Sequence, residues 1–449
     1  MRGFGVALVL ALASCAAPPP ASKPAAAPVS DIRRLGEAFG AVKASFVTPV
    51  DDGVLVASCT SGMRQYVGKL FPPLDLSDVG SREGASAFEQ IATVLAAAKQ
   101  RRPGLEDRPL VDACLTTMLA NLDKLSAYLG SEEFRELQVG TETAGIGIEL
   151  KIESGFPVVV SAIEGTPASR SDLAPGDLIV RIDGFPTEGL ALREVVQRMR
   201  GRPSSSLTLD LRRTGGPELR RVFTREIIRV QSVISRTTSE GYAHIRITQF
   251  QMYTLDNIAH ALKSAHGDGA KPVPGIILDL RNNTGGLLNA AVGVTAVFLP
   301  QTTLVVETKG RTADASRRFH AGPEDYLRTG ARDPFKGLPD SLKSVPVVVI
   351  VNARSASGAE IVAAALQDHR RAKVVGERTF GAGTIQTILP MGNATAIKLT
   401  TAKFYRPNGE GIEGNPLVPD ELISPAEAAR PMGSADDPAL SKARALLSR

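Results

Sequence analysis

The sequence predicts a mixed α/β protein in three folded parts: an N-terminal helical region (31–140), a small β-rich domain (141–228) and an α/β core (229–425). An export segment precedes these parts and a tail (426–449) follows. Three observations carry this expectation. Apolar residues recur at three- and four-residue spacing as far as about Leu137, then give way to short runs punctuated by glycine, and beyond Ile228 become continuous apolar runs that each lead into a helical pattern.

Met1-Arg2 followed by the apolar run Val6 to Ala13 is too short to span a bilayer and long enough for the core of a signal peptide, so 1–14 reads as an export address. The run closes on Leu12-Ala13-Ser14-Cys15, which resembles the lipobox of bacterial lipoproteins. That resemblance implies a lipidated Cys15 anchored on the periplasmic face of a membrane, and Ala16 after it resembles outer-membrane sorting. The stretch 15–30, rich in Ala and Pro, reads as a disordered tether. Export permits disulfides. Leu55-Val56-x-x-Cys59-x-x-x-Met63 and Leu110-Val111-x-x-Cys114-x-x-x-Met118 repeat one pattern, so each cysteine lies on an apolar helical face. Their pairing and two buried free thiols are both open readings.

Within the helical region the spacing is clearest in Ile32-x-x-Leu35-x-x-x-Phe39-x-x-Val42 and in Ile91-x-x-Val94-Leu95, with a Pro/Gly/Ser-rich break from Phe71 to Gly84. The β-rich domain shows strands at Ile146 to Leu150, Pro157 to Ile163 and Leu178 to Ile182, an amphipathic helix from Leu192 to Met199, and a closing strand from Leu207 to Arg212. In the core, Gly275 to Leu280 leads into a glycine turn and a helix, and Val345 to Val351 leads into Asn352-Ala353-Arg354 and a helix starting near Ser357. Ligands collect at the carboxyl ends of such strands. The net charge of +5 is small for 449 residues and its basic groups lack aromatic interleaving, so no nucleic-acid partner is expected.

Ser355-Ala356-Ser357-Gly358-Ala359-Glu360 lies at one of those strand ends and admits two readings. Ser357 and Glu360 have the spacing of a capping box. Equally, Ser357 at a helix N-terminus has free N–H groups nearby that can stabilise a developing oxyanion. A nucleophilic hydroxyl needs a base, and no base is evident. His244, His260 and His266 have no evident link to the turn, and His369 is twelve residues on, roughly 18 Å along a helix. No metal-binding motif and no cofactor signature appears.

The chain resembles the carboxyl-terminal processing proteases, exported serine endopeptidases with a serine–lysine dyad and an embedded PDZ domain. The resemblance runs from about Leu35 to Pro425, with 68–109 as an apparent insertion. It rests on Gly145 to Leu150, Ile163 to Ala168, Pro175 to Ile179, Asp279 to Gly286, Ser355 to Glu360, Ala365 to Asp368, Thr379 to Thr384 and Leu399 to Ala402, all in the family's order. It implies Ser357 as nucleophile, Gln386 as the polar residue orienting the dyad, Gly286 and Gly358 as oxyanion donors, and Asp368 as either an acidic site position or a structural carboxylate. Gly145, Ile146, Gly147 and Ile148 match the loop that holds a peptide's terminal carboxylate. The lysine position falls on Ala382, between two glycines. An alanine accepts no proton, and the family's L-D-P-H-S-S-Y-L segment is also altered, to Leu122-Asp123-Lys124-Leu125-Ser126-Ala127-Tyr128-Leu129. The resemblance therefore implies a periplasmic protease of unstructured C-terminal tails whose chemistry is impaired in this chain. A non-catalytic peptide-binding scaffold is the alternative, and a purely structural envelope lipoprotein is a third class. A homo-oligomer or an activating partner stays open.

Overall fold

In the computed structural model, residues 30–448 are described apart from 71–73, 77–85, 140–143, 164, 214–217, 229–231, 267–272, 429, 431 and 435. The signal segment, Cys15 and most of the tether lie outside the described residues.

The helical region packs Asp31–Ser45, Asp52–Gly68, Ala87–Arg101 and Asp107–Ala120 around Leu35, Leu55, Met63, Ile91, Leu110, Leu115 and Met118. Helices Asp52–Gly68 and Asp107–Ala120 run side by side, and Cys59 and Cys114 are joined by a disulfide with their Cα atoms 4.1 Å apart. Helix Ala87–Arg101, inside the apparent insertion, begins with a full capping box between Ser86 and Glu89 and contributes Ile91, Val94 and Leu95 to this core. The region is not purely helical. Ala127–Leu129 is a strand that pairs antiparallel with Ala396–Tyr405, and Ile397 and Leu399 of that long strand enter the same core. Three residues are too few for a period to register, and their partner is about 270 positions away.

In the middle domain, strands Ile148–Glu153, Phe156–Ala162, Leu178–Ile182, Ser206–Arg212 and Glu218–Thr224 form one antiparallel sheet in that order, with Phe185–Pro186 attached to Leu178–Ile182. Helix Leu192–Met199 closes it with Val195 and Met199 buried. Two expectations need correction. Ile146 and Gly147 precede the first strand as a turn, because Gly147 has φ +73° and Thr166 packs where a Cβ would stand. Ser206–Arg212 does not close the sheet, since Glu218–Thr224 adds the edge; its arginine-rich alternation, exposed on one side, lacks the apolar content of a sandwich strand.

The core is a six-stranded sheet ordered Val233–Thr237, Ala243–Ile247, Ile276–Asp279, Val347–Val351, Lys373–Gly376 and Glu421–Leu422, parallel except for the first pair. One face carries Ile245, Leu278, Val349 and Val374 against helices Thr254–His266, Leu288–Ala296 and Gly358–Asp368. The opposite face carries Ile277, Val348, Ile350 and Val375. The stretch expected to be a tail covers that face: Pro438–Leu447 is a helix whose Ala439, Leu440, Ala443 and Leu447 form its buried stripe. A second antiparallel sheet, built on Leu304–Gly310 and Ala396–Tyr405, presents Thr384–Pro390 along its edge.

Candidate active site

The site forms where strands Ile276–Asp279 and Val347–Val351 end side by side. Their following loops are bolted together by small polar groups. Ser355 Oγ donates to the Leu280 carbonyl at 2.8 Å and accepts from the Asn352 amide at 2.9 Å, while the Ala356 amide donates to the Asn283 carbonyl at 2.9 Å. Asn283, fully buried, donates from Nδ2 to the Ile247 carbonyl and accepts from the Gly285 amide at 2.8 Å. Short side chains are required here because two backbones meet at hydrogen-bonding distance.

Ser357 is the half-buried cap residue of helix Gly358–Asp368 and holds φ +53°, ψ −113°, outside the regions an L-residue prefers. Such strain, about 1–3 kcal/mol, persists only where its surroundings enforce it. The capping-box and nucleophile readings are reconciled by the geometry. The Ser357 amide donates to Glu360 Oε2 at 2.9 Å, but the Ser357 hydroxyl makes no cap hydrogen bond and stays available for other work.

Gly285, at φ +100°, passes so close that a Cβ there would lie 2.8 Å from Ser357 Cβ and 3.0 Å from the Gly358 nitrogen. Gly286, at φ +135°, leaves no room either: its Cβ would stand 2.1 Å from the Phe250 carbonyl oxygen. Gly358 packs on the Phe250 ring, which would sit 2.9 Å from an added Cβ. Phe250 thus seats both glycines, and its amide donates to the Gly285 carbonyl at 2.9 Å. Neither Gly285 nor Phe250 stood out as a site residue in the sequence. The glycine pair signalled a close approach without naming what approaches it.

The loop carrying Ala382 reaches the same place. Glu360, fully buried, accepts from the Ser357 and Ala382 amides at Oε2, both at 2.9 Å, and from the Thr379 hydroxyl and the Gly381 amide, at 2.5 and 2.8 Å, at Oε1. One oxygen that accepts from both amides at 2.9 Å makes the two nitrogens near neighbours. Burial pushes the Glu360 carboxyl above its ordinary range, against the opposing pull of those four donors. The Phe380 amide adds a further bond to the Ser355 carbonyl at 2.9 Å. Both bracketing glycines lie against the 412–416 segment: a Cβ at Gly381 would meet Pro416 at 3.1 Å, and one at Gly383 would meet the Glu413 nitrogen at 2.1 Å.

Gln386 stands on the strand that leaves this loop, its Nε2 donating to Thr384 Oγ1 at 2.9 Å. Asp368 lies at the far end of the Ser357 helix, where Arg406 grips it through Nε at 3.2 Å and Nη2 at 2.5 Å. That arrangement is a structural brace. His369 bonds the Leu304 carbonyl, and His244 lies beside Asp279 with Nε2 3.3 Å from Oδ2. Among the described residues no group of three or more His, Cys, Asp or Glu side chains forms a metal site.

In the middle domain the Gly145 to Ile148 turn is held by the Ala168 amide on the Ile146 carbonyl and the Ile163 amide on the Gly147 carbonyl, both at 2.9 Å. The Gly201 amide donates to the Ala144 carbonyl at 3.2 Å, so the end of helix Leu192–Met199 sits beside this turn. Strand Ile148–Glu153 is an edge strand, next to that helix. Ile152 and Leu192 remain 40% and 39% exposed there, leaving apolar surface along the open edge.

Residues 241–423 match the family model of Peptidase family S41, and residues 136–212 match that of the PDZ domain. The carboxy-terminal-processing protease of Bartonella bacilliformis is 36% identical over 323 residues, covering 71% of this chain and 70% of that one. The carboxyl-terminal-processing protease of Synechocystis sp. is 33% identical over 334 residues, covering 72% and 73%. Among solved structures, the photosystem II D1 C-terminal processing protease shares the fold with a TM-score of 0.50, at 24% identity and with 89% and 94% of the two chains covered. With this coverage and identity added to the two matched domains, the chain belongs to the carboxy-terminal processing proteases of peptidase family S41, a family of serine-type hydrolases.

Proposed function

We propose that this chain is an exported, lipid-anchored envelope protein that captures unstructured, apolar C-terminal tails in its PDZ groove and presents them to Ser357, with peptide cleavage strongly impaired at the proton-transfer step. The observation that carries the reading is Glu360 Oε2, which draws the amides of Ser357 and Ala382 onto one atom. Ser357 is the nucleophile of this reading. Its Oγ adds to the scissile carbonyl carbon, the carbonyl oxygen becomes an oxyanion beside the amides of Gly286 and Gly358, and collapse expels the amine to leave an acyl-enzyme. The hydroxyl proton must leave as the bond forms and later reach the departing amine. A neutral lysine amine at position 382 would do both, with Gln386 orienting it, whereas the Ala382 methyl does neither.

Binding makes a separate demand. An extended tail adds to the free edge of Ile148–Glu153, its carboxylate at the Gly145 to Ile148 turn and its apolar side chains against Ile152 and Leu192. The second reading, a non-catalytic scaffold that sequesters tails or regulates an active relative, is favoured by Ala382 itself. Cleavage of an apolar-tailed peptide by this chain and by its Ala382→Lys variant separates the two. In related hydrolytic sites base removal costs about 10⁴- to 10⁶-fold, so a gain of at least about 10³-fold is expected. No cleavage by Ala382→Lys, with peptide binding retained, leaves the scaffold. Neither binding nor cleavage leaves a structural lipoprotein.

A further inference from the structure

We infer that Glu360 is the positioning residue of this site: its buried carboxylate sets Ser357 and residue 382 in register by accepting one hydrogen bond from each at the same oxygen. This rests on the reading of Ser357 as the nucleophile.

Glu360 belongs rigidly to one side of the site and reaches only backbone and one hydroxyl on the other. It lies in the first turn of helix Gly358–Asp368, so its position relative to Ser357 is that of a helix end. Across the gap, Thr379, Gly381 and Ala382 come from a loop with no regular secondary structure, whose course is set by hydrogen bonds. Three of the four donors on Glu360 come from that loop. Thr379 Oγ1 in turn accepts from the Leu417 amide at 2.7 Å, extending the tie into the segment behind the loop. All four donors require an acceptor, and only a carboxylate offers two oxygens that accept without donating. A carboxamide would turn an N–H₂ group toward two of them.

The same carboxylate holds the strained backbone of Ser357. At φ +53° the residue would relax toward a helical or extended conformation if its amide lost its partner, and the position of its side chain would change with it. The charge matters as well as the bonds. A lysine at 382 would have its own amide on Glu360, so the carboxylate would stabilise the ammonium form of its side chain. Glu413, on the 412–416 segment, accepts from the Gly383 amide at 2.7 Å and is exposed.

The test compares Ala382→Lys with Ala382→Lys/Glu360→Gln. The double variant is expected to lose about a hundredfold in kcat with KM little changed, as for a reacting group displaced by about 1 Å. The acidic limb of its kcat/KM–pH profile is expected to move to lower pH. An unmoved limb with kcat within threefold overturns the inference. Glu360→Asp in the same background keeps the charge and shortens the reach, so it loses kcat without the pH displacement; it also takes over the kcat test if the Gln variant does not fold. Should Ala382→Lys be silent, the cleavage reading fails on its own account, and Glu360 is judged in the Ala382 chain by amide hydrogen exchange. There Glu360→Gln is expected to accelerate exchange about tenfold in both 355–358 and 378–384, with peptide binding by the middle domain retained. Protection unchanged in both segments overturns it.

Discussion

Replacing Arg281 by methionine tests what holds the back of the catalytic sheet together. Arg281, 6% exposed, donates to Asp279 through Nε at 2.9 Å and Nη2 at 2.6 Å, and to Asp437 through Nη1 at 3.1 and 2.9 Å. Both carboxylates are 1% exposed. Methionine preserves much of the volume and strands the two charges, a change that costs about 3–5 kcal/mol in buried pairs. At 1.4 kcal/mol per factor of ten, amide exchange in strands Ile276–Asp279 and Val347–Val351 should accelerate about 10²- to 10⁴-fold. Helix Pro438–Leu447 should open further still, because Asp437 also caps it by accepting from the Ala439 and Leu440 amides. The pH dependence has a definite sign. Burial alone would raise the Asp279 carboxyl, but hydrogen bonds from His244 and Arg281 and the guanidinium charge outweigh it and hold it far below the ordinary range. Its stabilisation is therefore complete above the unfolded value, about 4, and is lost as pH falls from there toward the folded value. Arg281→Met should flatten that acid loss. Core exchange changed by less than about fivefold, or an acid profile unaltered by the substitution, would refute the argument.

Three further outcomes are expected. Gly286→Ala forces a methyl to 2.1 Å from the Phe250 carbonyl oxygen at φ +135°, so the core should lose at least about 2 kcal/mol by thermal unfolding, and the Ser357 turn should shift with it. Cys59→Ser/Cys114→Ser opens a disulfide spanning 55 positions, and the chain-entropy relation gives about 4 kcal/mol, read as earlier unfolding of the helical region with the middle domain unaffected. Leu192→Asp places a charge on an exposed groove position and should weaken binding of an apolar-tailed peptide about tenfold or more without lowering stability, as measured by calorimetry.

Much of the fold was legible because each signal is local. Periodicity located helix Leu192–Met199 to the residue, and the all-apolar run before Asn352 marked a strand buried on both faces. What escaped depended on a distant partner or on a short signal at the chain's end. Ala127–Leu129 is a strand only because Ala396–Tyr405 lies beside it, and the apolar stripe of Pro438–Leu447 finds its place over the sheet through contacts with Ile277, Val348, Ile350 and Val375 and through the Arg281–Asp437 pair. The site divides in the same way. Residue types alone singled out Ser357 as a candidate, and the family's motifs, which are short segments, matched the two glycines to oxyanion donors and Ala382 to the lysine position.

By itself, then, the sequence determined the periodic elements, the glycine positions at which backbones approach closely, and an alanine at the position that the family resemblance matches to a lysine. Tertiary structure alone decided that Gly285 rather than a neighbour lies against Ser357, that Phe250 seats the turn, and that Glu360 joins the two halves. Those contacts connect residues 20 to more than 100 positions apart, and no local preference encodes which distant backbone amide a buried carboxylate will find.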